Sequence, residues 1–248
     1  MIGAIYNEIL YRPLANILVF FYAAIPYHDL GLSIILLTIV IRLLLYPFIA
    51  KQMKAQKQLS AIQPALKKIQ DQYKDNKEEQ AKKVMELYKS KGVNPASGCL
   101  PLLIQLPLLI ALYQVFRQVS DPAYFQTFLG QLYSFVPHPT SINPTAFGFI
   151  NLAHTSIVLG ILAAATQFFQ GYVMTPSSGI ITGEKKVGTP SAGDSFQKAL
   201  QMQTLYMLPI IIFIFSIKFA AALPLYWVTL NVFGIIQQVV TKIDTPYI

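Results

Sequence analysis

The 248-residue sequence is poor in charged residues and contains a single cysteine, Cys99. Only 12% of its residues are charged, whereas 54% are hydrophobic and the mean hydropathy is +0.49. This composition excludes an ordinary soluble domain and predicts an integral membrane protein. One cysteine cannot form an internal disulfide, so we interpret Cys99 as a small packing residue.

Five long apolar segments stand out, and none of them contains Asp or Glu. A helix needs about 20 residues to cross about 30 Å of hydrocarbon, and its backbone groups cannot stay unpaired in lipid. The alternating pattern of a membrane β-barrel is missing. We therefore predict an all-α membrane protein with five transmembrane helices, over residues 30–50, 94–117, 147–173, 198–219 and 223–242.

The sequence also lacks the motifs of the enzymes that work inside membranes. It has no Gly-x-Ser-x-Gly turn, no aspartate pair in an apolar segment and no His-Glu-x-x-His zinc motif. A phosphate-binding glycine loop is missing too, as are the intramembrane carboxylates of ion-coupled transporters. We predict a protein that is not an enzyme and that uses neither a metal nor a cofactor.

Lys and Arg are concentrated in one loop. Between Lys51 and Lys91 there are eleven Lys against five acidic residues, a net charge of +6 out of the chain's +8. The positive-inside rule makes this loop cytoplasmic. The segment 118–146 contains no Lys or Arg and is predicted to be extracytoplasmic. Alternation then places the flexible loop 174–197 and the short tail 243–248 inside, with the N-terminus outside.

Two further helical features lie outside the predicted spans. Residues 1–29 have the pattern of an amphipathic helix lying in the membrane interface on the extracytoplasmic side. Residues 51–93 carry an apolar stripe at helical spacing, a break near Lys74 and a second short amphipathic segment, which predicts a cytoplasmic helical hairpin. Pro64 should start or kink a helix there. The stripe consists of Leu59, Ile62, Leu66, Ile69 and Tyr73.

Arg42 lies near the middle of the first predicted span, about 13 Å along the helix from Lys51. Burying this cation in lipid costs between about 2.5 and 17 kcal/mol, depending on the reference. One interpretation is that Arg42 reaches the headgroups or is satisfied by carbonyls. The other is a hydrated groove, open to the cytoplasm, with Arg42 on its wall. Neutral polar residues that could line such a groove are Thr38, Gln105, Gln167, Gln170, Thr229 and Asn231.

Several segments together resemble the YidC/Oxa/Alb membrane protein insertases, in the same order from about Ile2 to Lys242. They are IVIRLLLYPF, AIQPALKKIQDQY, NPASGCLPLLIQLPLLIALYQVF, ATQFFQ and LPLYWVTLNVFGIIQQ. The resemblance implies a five-span core in a bacterial cell membrane that inserts nascent membrane proteins and helps them fold. It implies that the protein works alone or beside the Sec translocon, without nucleotide hydrolysis. A small-solute channel or transporter is the alternative, and a membrane scaffold is a third.

The resemblance also implies a client-binding groove. Its arginine falls on Arg42 and its threonine, one turn earlier, on Thr38. The polar residue of the third span falls on Gln167, although Gln170 is close by. The aromatic pair of the last span falls on Tyr226 and Trp227, which could equally anchor the helix in the interface. We add Gln105 to these predicted groove residues.

Basic residues outside the spans are candidates for binding a ribosome or anionic lipids, and the two choices stay open. They are Lys54, Lys57, Lys67, Lys68, Lys82, Lys83, Lys185 and Lys186. Recognition of a specific nucleic-acid sequence is not expected. The chain departs from some relatives because it shows no large extracytoplasmic domain, no lipoprotein cysteine near Met1 and no long basic tail. We therefore expect the compact bacterial type.

Overall fold

The computed structural model describes residues 2–94, 100–174 and 203–243, and nearly all of its regular structure is helical, as the sequence predicted. The exception is an antiparallel ribbon of two short strands, β1 (Thr145–Ala146) and β2 (Ile150–Asn151). Most of the predicted loop 174–197 and of the tail 243–248 lies outside the described residues, together with Lys185, Lys186 and Cys99.

The N-terminal segment forms one run of helix that packs on the bundle. It consists of α1 (Ile2–Tyr6), a π-helical turn (Asn7–Tyr11) and α2 (Arg12–Ala24). One face of this run is exposed at Ile5, Ile9 and Phe20, and the other is buried in the main core at Tyr11, Leu14, Ala15, Leu18, Val19 and Tyr22. Apolar residues therefore lie on both faces of the run, and one of these faces contacts protein, so its amphipathic character stays a prediction. Its position relative to a membrane stays a prediction.

The first predicted span is divided into two helices. Asp29 caps α3 (Leu30–Leu44) by accepting a hydrogen bond from the Leu32 amide at 2.9 Å, and the helix stops at Leu45. The next helix, α4 (Tyr46–Ala61), is bent from α3 by 64°. Because Pro47 has no amide hydrogen, it cannot continue the helical hydrogen bonds through this point. The predicted span 30–50 thus comprises α3 and only the beginning of α4.

Two helices follow where the sequence predicted a hairpin. Helix α5 (Gln63–Gln72) begins with Pro64 in its first turn, and α6 (Lys77–Ser90) is capped by Asn76, which accepts from the Glu79 amide at 3.1 Å. Gln80 ties the two together because its Nε2 donates to the Gln70 carbonyl at 2.8 Å. They share a small core of their own, in which Ile62, Leu66 and Val93 are buried and Leu59, Val84, Leu87 and Tyr88 pack against them.

The remaining described helices form the rest of the bundle. They are α7 (Leu100–Ser120), α8 (Pro122–Leu129), α9 (Ile157–Met174), α10 (Leu208–Ser216), which follows a π-helical turn (Gln203–Met207), and α11 (Ala222–Ile243). Helix α9 begins ten residues after the predicted span start at 147, because the β ribbon occupies the intervening chain. His154 consequently precedes the helix.

Hydrogen bonds show which helix ends lie together. The amides of Ala221 and Ala222, at the start of α11, donate to the carbonyls of His154 and Leu152, just before α9, at 2.8 and 3.2 Å. Gly31, at the start of α3, faces β1 so closely that a Cβ there would collide with Ala146. These three helices therefore begin at one end of the bundle, which we call the loop end. We call the other end, which leads into α4, the hairpin end.

The main core joins α2, α3, α7 and α11, and Leu18, Ile34, Leu112 and Tyr226 are among its fully buried side chains. Large apolar residues are nevertheless exposed along α9, α10 and α11, including Val158, Ile161, Ile210, Ile214 and Val239. In the described ranges, only α11 (Ala222–Val240) is long and apolar enough to cross a membrane alone, and the bent pair α3–α4 adds a second span if counted as one. Two shorter apolar helices lie at Ile157–Val173 and Leu205–Ser216. The predicted count of five spans is not established by helix length and composition.

Candidate functional site

Arg42 reaches from the last turn of α3 to the backbone of α11. Its Nη2 donates to the Leu230 carbonyl at 2.9 Å, and the side chain is half-buried. The buried Nε has no hydrogen-bond partner among the described residues. The ion pairs found in those residues join Arg12 to Glu8 and Lys83 to Glu86, so Arg42 has no carboxylate partner there.

A glycine provides the space that Arg42 occupies. Gly234 lies one turn after Leu230 on α11, and a Cβ built there would lie 3.3 Å from Arg42 Nη2 and 2.5 Å from Gln170 Nε2. The guanidinium of α3 and the amide of α9 therefore converge over one glycine of α11. This arrangement brings Gln170, the alternative to Gln167, next to Arg42.

Tyr226 extends the same face of α11, because residues 226, 230 and 234 are spaced four apart in a helix. The Tyr226 side chain is fully buried, and its hydroxyl accepts a hydrogen bond from Gln105 Nε2 at 2.6 Å. Trp227 is half-buried and packs against the main core. The structure thus joins Gln105 to Tyr226 and Arg42 to the face on which Tyr226 lies.

Thr38 and Gln167 occupy more enclosed positions. Thr38 is 1% exposed, and its hydroxyl donates within its own helix to the Ile34 carbonyl at 2.6 Å. Gln167 is also buried, on α9. The Thr38 hydroxyl therefore already has a local partner, whereas the Arg42 Nε has none among the described residues.

A row of polar contacts continues along the joint between α9 and α11. Asn231 Nδ2 donates to the Thr166 hydroxyl at 3.2 Å, and Gln238 Nε2 donates to the Val173 carbonyl at 2.9 Å. The carbonyl oxygens of both amides are buried and have no partner in the described part of the chain. Buried polar groups normally bind protein or water, so this joint offers acceptors for water.

The lysines of the helices that follow α3 are spread over an open surface. Lys54, Lys67, Lys68 and Lys82 are exposed, and Lys57 falls within α4. Lys83 makes a 2.9 Å hydrogen bond to Glu86, and this hydrogen bond together with the attraction of the two charges raises the pKa of Lys83 and lowers that of Glu86. Within the described ranges, no three His, Cys, Asp or Glu side chains form a group that could hold a metal ion.

Gly234, which lies between Arg42 and Gln170, was not among the candidate residues named from the sequence. Its signal was an isolated glycine inside an apolar helix, which costs helix stability and so often has a packing reason. The role of that glycine depends on which side chains of α3 and α9 face it.

A family model described as "60Kd inner membrane protein" matches residues 20–246. This chain belongs to the YidC/Oxa insertase family. The family description and the bacterial relatives support a location in a bacterial membrane.

Two relatives in the YidC family are matched over most of their length. This chain is 32% identical to membrane protein insertase YidC 2 of Bacillus anthracis over 96% of its own length and 81% of the relative. Identity to the YidC insertase of Clostridium tetani is 34%, over 88% of this chain and 83% of the relative. A crystal structure of an active YidC insertase is 25% identical, with a TM-score of 0.59, and the match covers 96% of this chain and 47% of that chain. This chain therefore spans about half the length of the crystallised protein.

Proposed function

We propose that this protein inserts nascent membrane proteins into a bacterial membrane and helps them fold. Its membership of the YidC family and relatives named membrane protein insertases support this function. One observation carries the mechanism. The Arg42 guanidinium lies against α11 and a glutamine amide, and no carboxylate in the described residues neutralises it.

In this proposal, α3 with the start of α4, α7, α9, α10 and α11 are the five spans. A hydrated groove lies between α3, α9 and α11 and opens at the hairpin end, which faces the cytoplasm. Arg42, Thr38, Gln105, Gln167, Tyr226 and Trp227 are its candidate residues, and Gln170 joins them because it meets Arg42 over Gly234. The N-terminus would then lie outside and the C-terminus inside.

The proposed steps need no covalent chemistry. A client meets the basic surface of α4 to α6 first, and its hydrophilic, often acidic flank then enters the groove. Arg42 holds carboxylates of that flank by charge-assisted hydrogen bonds, which are stronger than neutral ones. The apolar segment of the client leaves sideways along α3 and α11 into lipid, and its transfer into the hydrocarbon provides the driving force.

Further partners follow from charge and remain part of the proposal. The exposed Lys54, Lys67, Lys68 and Lys82 could bind ribosomal RNA or anionic headgroups, because both present phosphates to a basic surface. Cooperation with a Sec translocon is a further proposed partnership of this insertase.

The test is the insertion of a single-span client with an acidic translocated tail, in cells depleted of their own insertase. The wild-type chain, Arg42→Ala and Arg42→Lys are compared. We expect wild type and Arg42→Lys to insert the client and Arg42→Ala to be about tenfold slower, because hydrogen bonds to charged groups contribute about 1.5–3 kcal/mol.

The control is the same client with its tail carboxylates changed to amides. Arg42→Ala should affect this neutral client much less. If Arg42→Ala lowered the insertion rate equally for the acidic and the neutral client, Arg42 would act through groove shape or hydration. Solute flux through vesicles that hold the purified chain, without any insertion of the client, would instead favour the channel.

A further inference from the structure

Most of the positive charge lies at the hairpin end, but three cations of the described residues lie at the loop end. They are Arg12, Arg117 at the end of α7 and Lys218 after α10. Arg12 is paired with Glu8 at 2.8 Å, whereas neither of the other two makes an ion pair in the described part of the chain. Both of these line one cavity of about 590 Å³.

The polar part of the cavity lining carries net positive charge. Besides Arg117 and Lys218, it includes His154, Ser120 and Asp121. Asp121 Oδ1 accepts from the Ala123 amide and caps α8, so this carboxylate is already in use. The buried Ser120 hydroxyl has no partner among the described residues and can donate to an anion. Two cations, one carboxylate and a free hydroxyl favour a singly charged anion.

The lining of the cavity also includes aromatic side chains. Tyr113 and Phe219 meet edge to face with ring centroids 5.3 Å apart, and Phe219 stacks on Phe215 at 5.4 Å. Phe215 is 45% exposed on α10, so this row of rings runs from the cavity onto the apolar outer surface of that helix. A ligand with an anionic head and a hydrocarbon tail would cover both parts.

We propose that this cavity binds one anionic phospholipid of the leaflet at the loop end. The phosphate lies between Arg117 and Lys218, with Ser120 as a further donor, and an acyl chain lies along Tyr113, Phe219 and Phe215. An acidic peptide fits less well, because it would leave the row of rings uncovered. The site is separate from Arg42, which contacts α11 two turns from its Leu223 wall residue.

The experiment is native mass spectrometry of the purified full-length chain in detergent, titrated with dioleoyl phosphatidylglycerol or dioleoyl phosphatidylcholine. We expect wild type to prefer the anionic lipid. Arg117→Gln and Lys218→Gln should each weaken its binding about fivefold, since a cation near an anionic lipid contributes about that factor. The double variant should lose the preference, and Arg117→Lys should keep it.

Two controls separate this site from general attraction of charge and from misfolding. Arg12→Gln removes the same charge from the same end outside the cavity and should leave the preference unchanged. Phe215→Ala keeps both cations and should weaken dioleoyl lipid more than its short-chain analogue. An unchanged preference in the double variant, or an equal loss in Arg12→Gln, would overturn the proposal. Binding of an acidic peptide, but not of lipid, through Arg117 and Lys218 would replace the lipid with a peptide ligand.

Discussion

Arg42 has neutral partners where a buried cation would usually have a charged one. It donates to the Leu230 carbonyl, and the Gln170 amide lies beside it over Gly234. A carboxylate would neutralise the guanidinium and would compete with any acidic segment for it. Neutral partners position the charge and leave it available, which suits the proposed role of Arg42 in binding and releasing a client.

Gly234→Ala is expected to impair insertion of the acidic-tail client about as strongly as Arg42→Ala. The added Cβ would lie 2.5 Å from Gln170 Nε2 and 3.3 Å from Arg42 Nη2, so both side chains must move. The atoms concerned are the ends of long side chains, and alanine favours a helix by up to about 1 kcal/mol over glycine. Stability should therefore be kept while insertion falls, as measured by thermal unfolding and by the insertion assay.

Gly3→Ala is the matched control, because nothing lies within 4 Å of a Cβ at Gly3 and insertion should stay unchanged. A Gly234→Ala variant that inserts the acidic client at the wild-type rate would contradict the role given to the space over Gly234.

The sequence singled out Arg42 as a candidate groove residue but could not choose between Gln167 and Gln170, and the groove role of all three stays a prediction. Three residues in a helix turn by about 300°, so these two side chains point only about 60° apart. Deciding between them needs the rotation of α9 against α11, which is set by packing between helices and leaves no local signal. The position of Gly234 could not be predicted for the same reason, because its neighbours Arg42 and Gln170 belong to two other helices.

At the scale of elements, the pair α5 and α6 has a core separate from that of the bundle. Ile62, Leu66 and Val93 form it, and none of them belongs to the main cluster. The apolar stripe from Leu59 to Tyr73 and the break near Lys74 were visible in the sequence, because the contacts of this pair are between residues close together in the chain. The bend at Leu45 was not predicted, although Pro47 is a signal for it. The β ribbon was not predicted either, because strands of two residues are too short to show a pattern.

Leu66→Ala is expected to destabilise α5 and α6 by about 2–3 kcal/mol, because it removes a buried side chain from a small core. Hydrogen exchange followed by mass spectrometry should show faster exchange in these two helices and no change in α11. Leu112→Ala, in the main core, should give the reverse pattern. Faster exchange throughout the chain in Leu66→Ala would mean that the two cores unfold as one unit.

On the scale of the whole molecule, the described helices alternate in direction. Helices α3, α9 and α11 begin at the loop end, where the start of α11 is hydrogen-bonded to the chain before α9. Helix α7 ends beside the same cavity that the turn after α10 lines. The exposed apolar residues of α9 to α11 suit contact with lipid, although most of these helices are short for a span.

Topology can be tested with single cysteines in a Cys99→Ser background. Lys82→Cys, on exposed α6, and Phe135→Cys, with an 80% exposed side chain between α8 and β1, probe the two ends. A membrane-impermeant maleimide added to intact spheroplasts should label position 135 only, and position 82 should react after the membrane is opened. Labelling of both positions in intact spheroplasts would contradict an odd number of spans between them.

The 64° bend at Leu45 divides one stretch of chain into two parts. Arg42 lies just before it, fixed to α11, and the lysine-bearing helices lie after it. If α3 and α4 formed one straight helix, a force on α4, α5 or α6 would tilt α3 as well. The Arg42 guanidinium would then move away from the Leu230 carbonyl. With the bend in between, a force applied to α4, α5 or α6 can be absorbed at Leu45. Helices α4 to α6 can then move while α3 keeps Arg42 in place against α11.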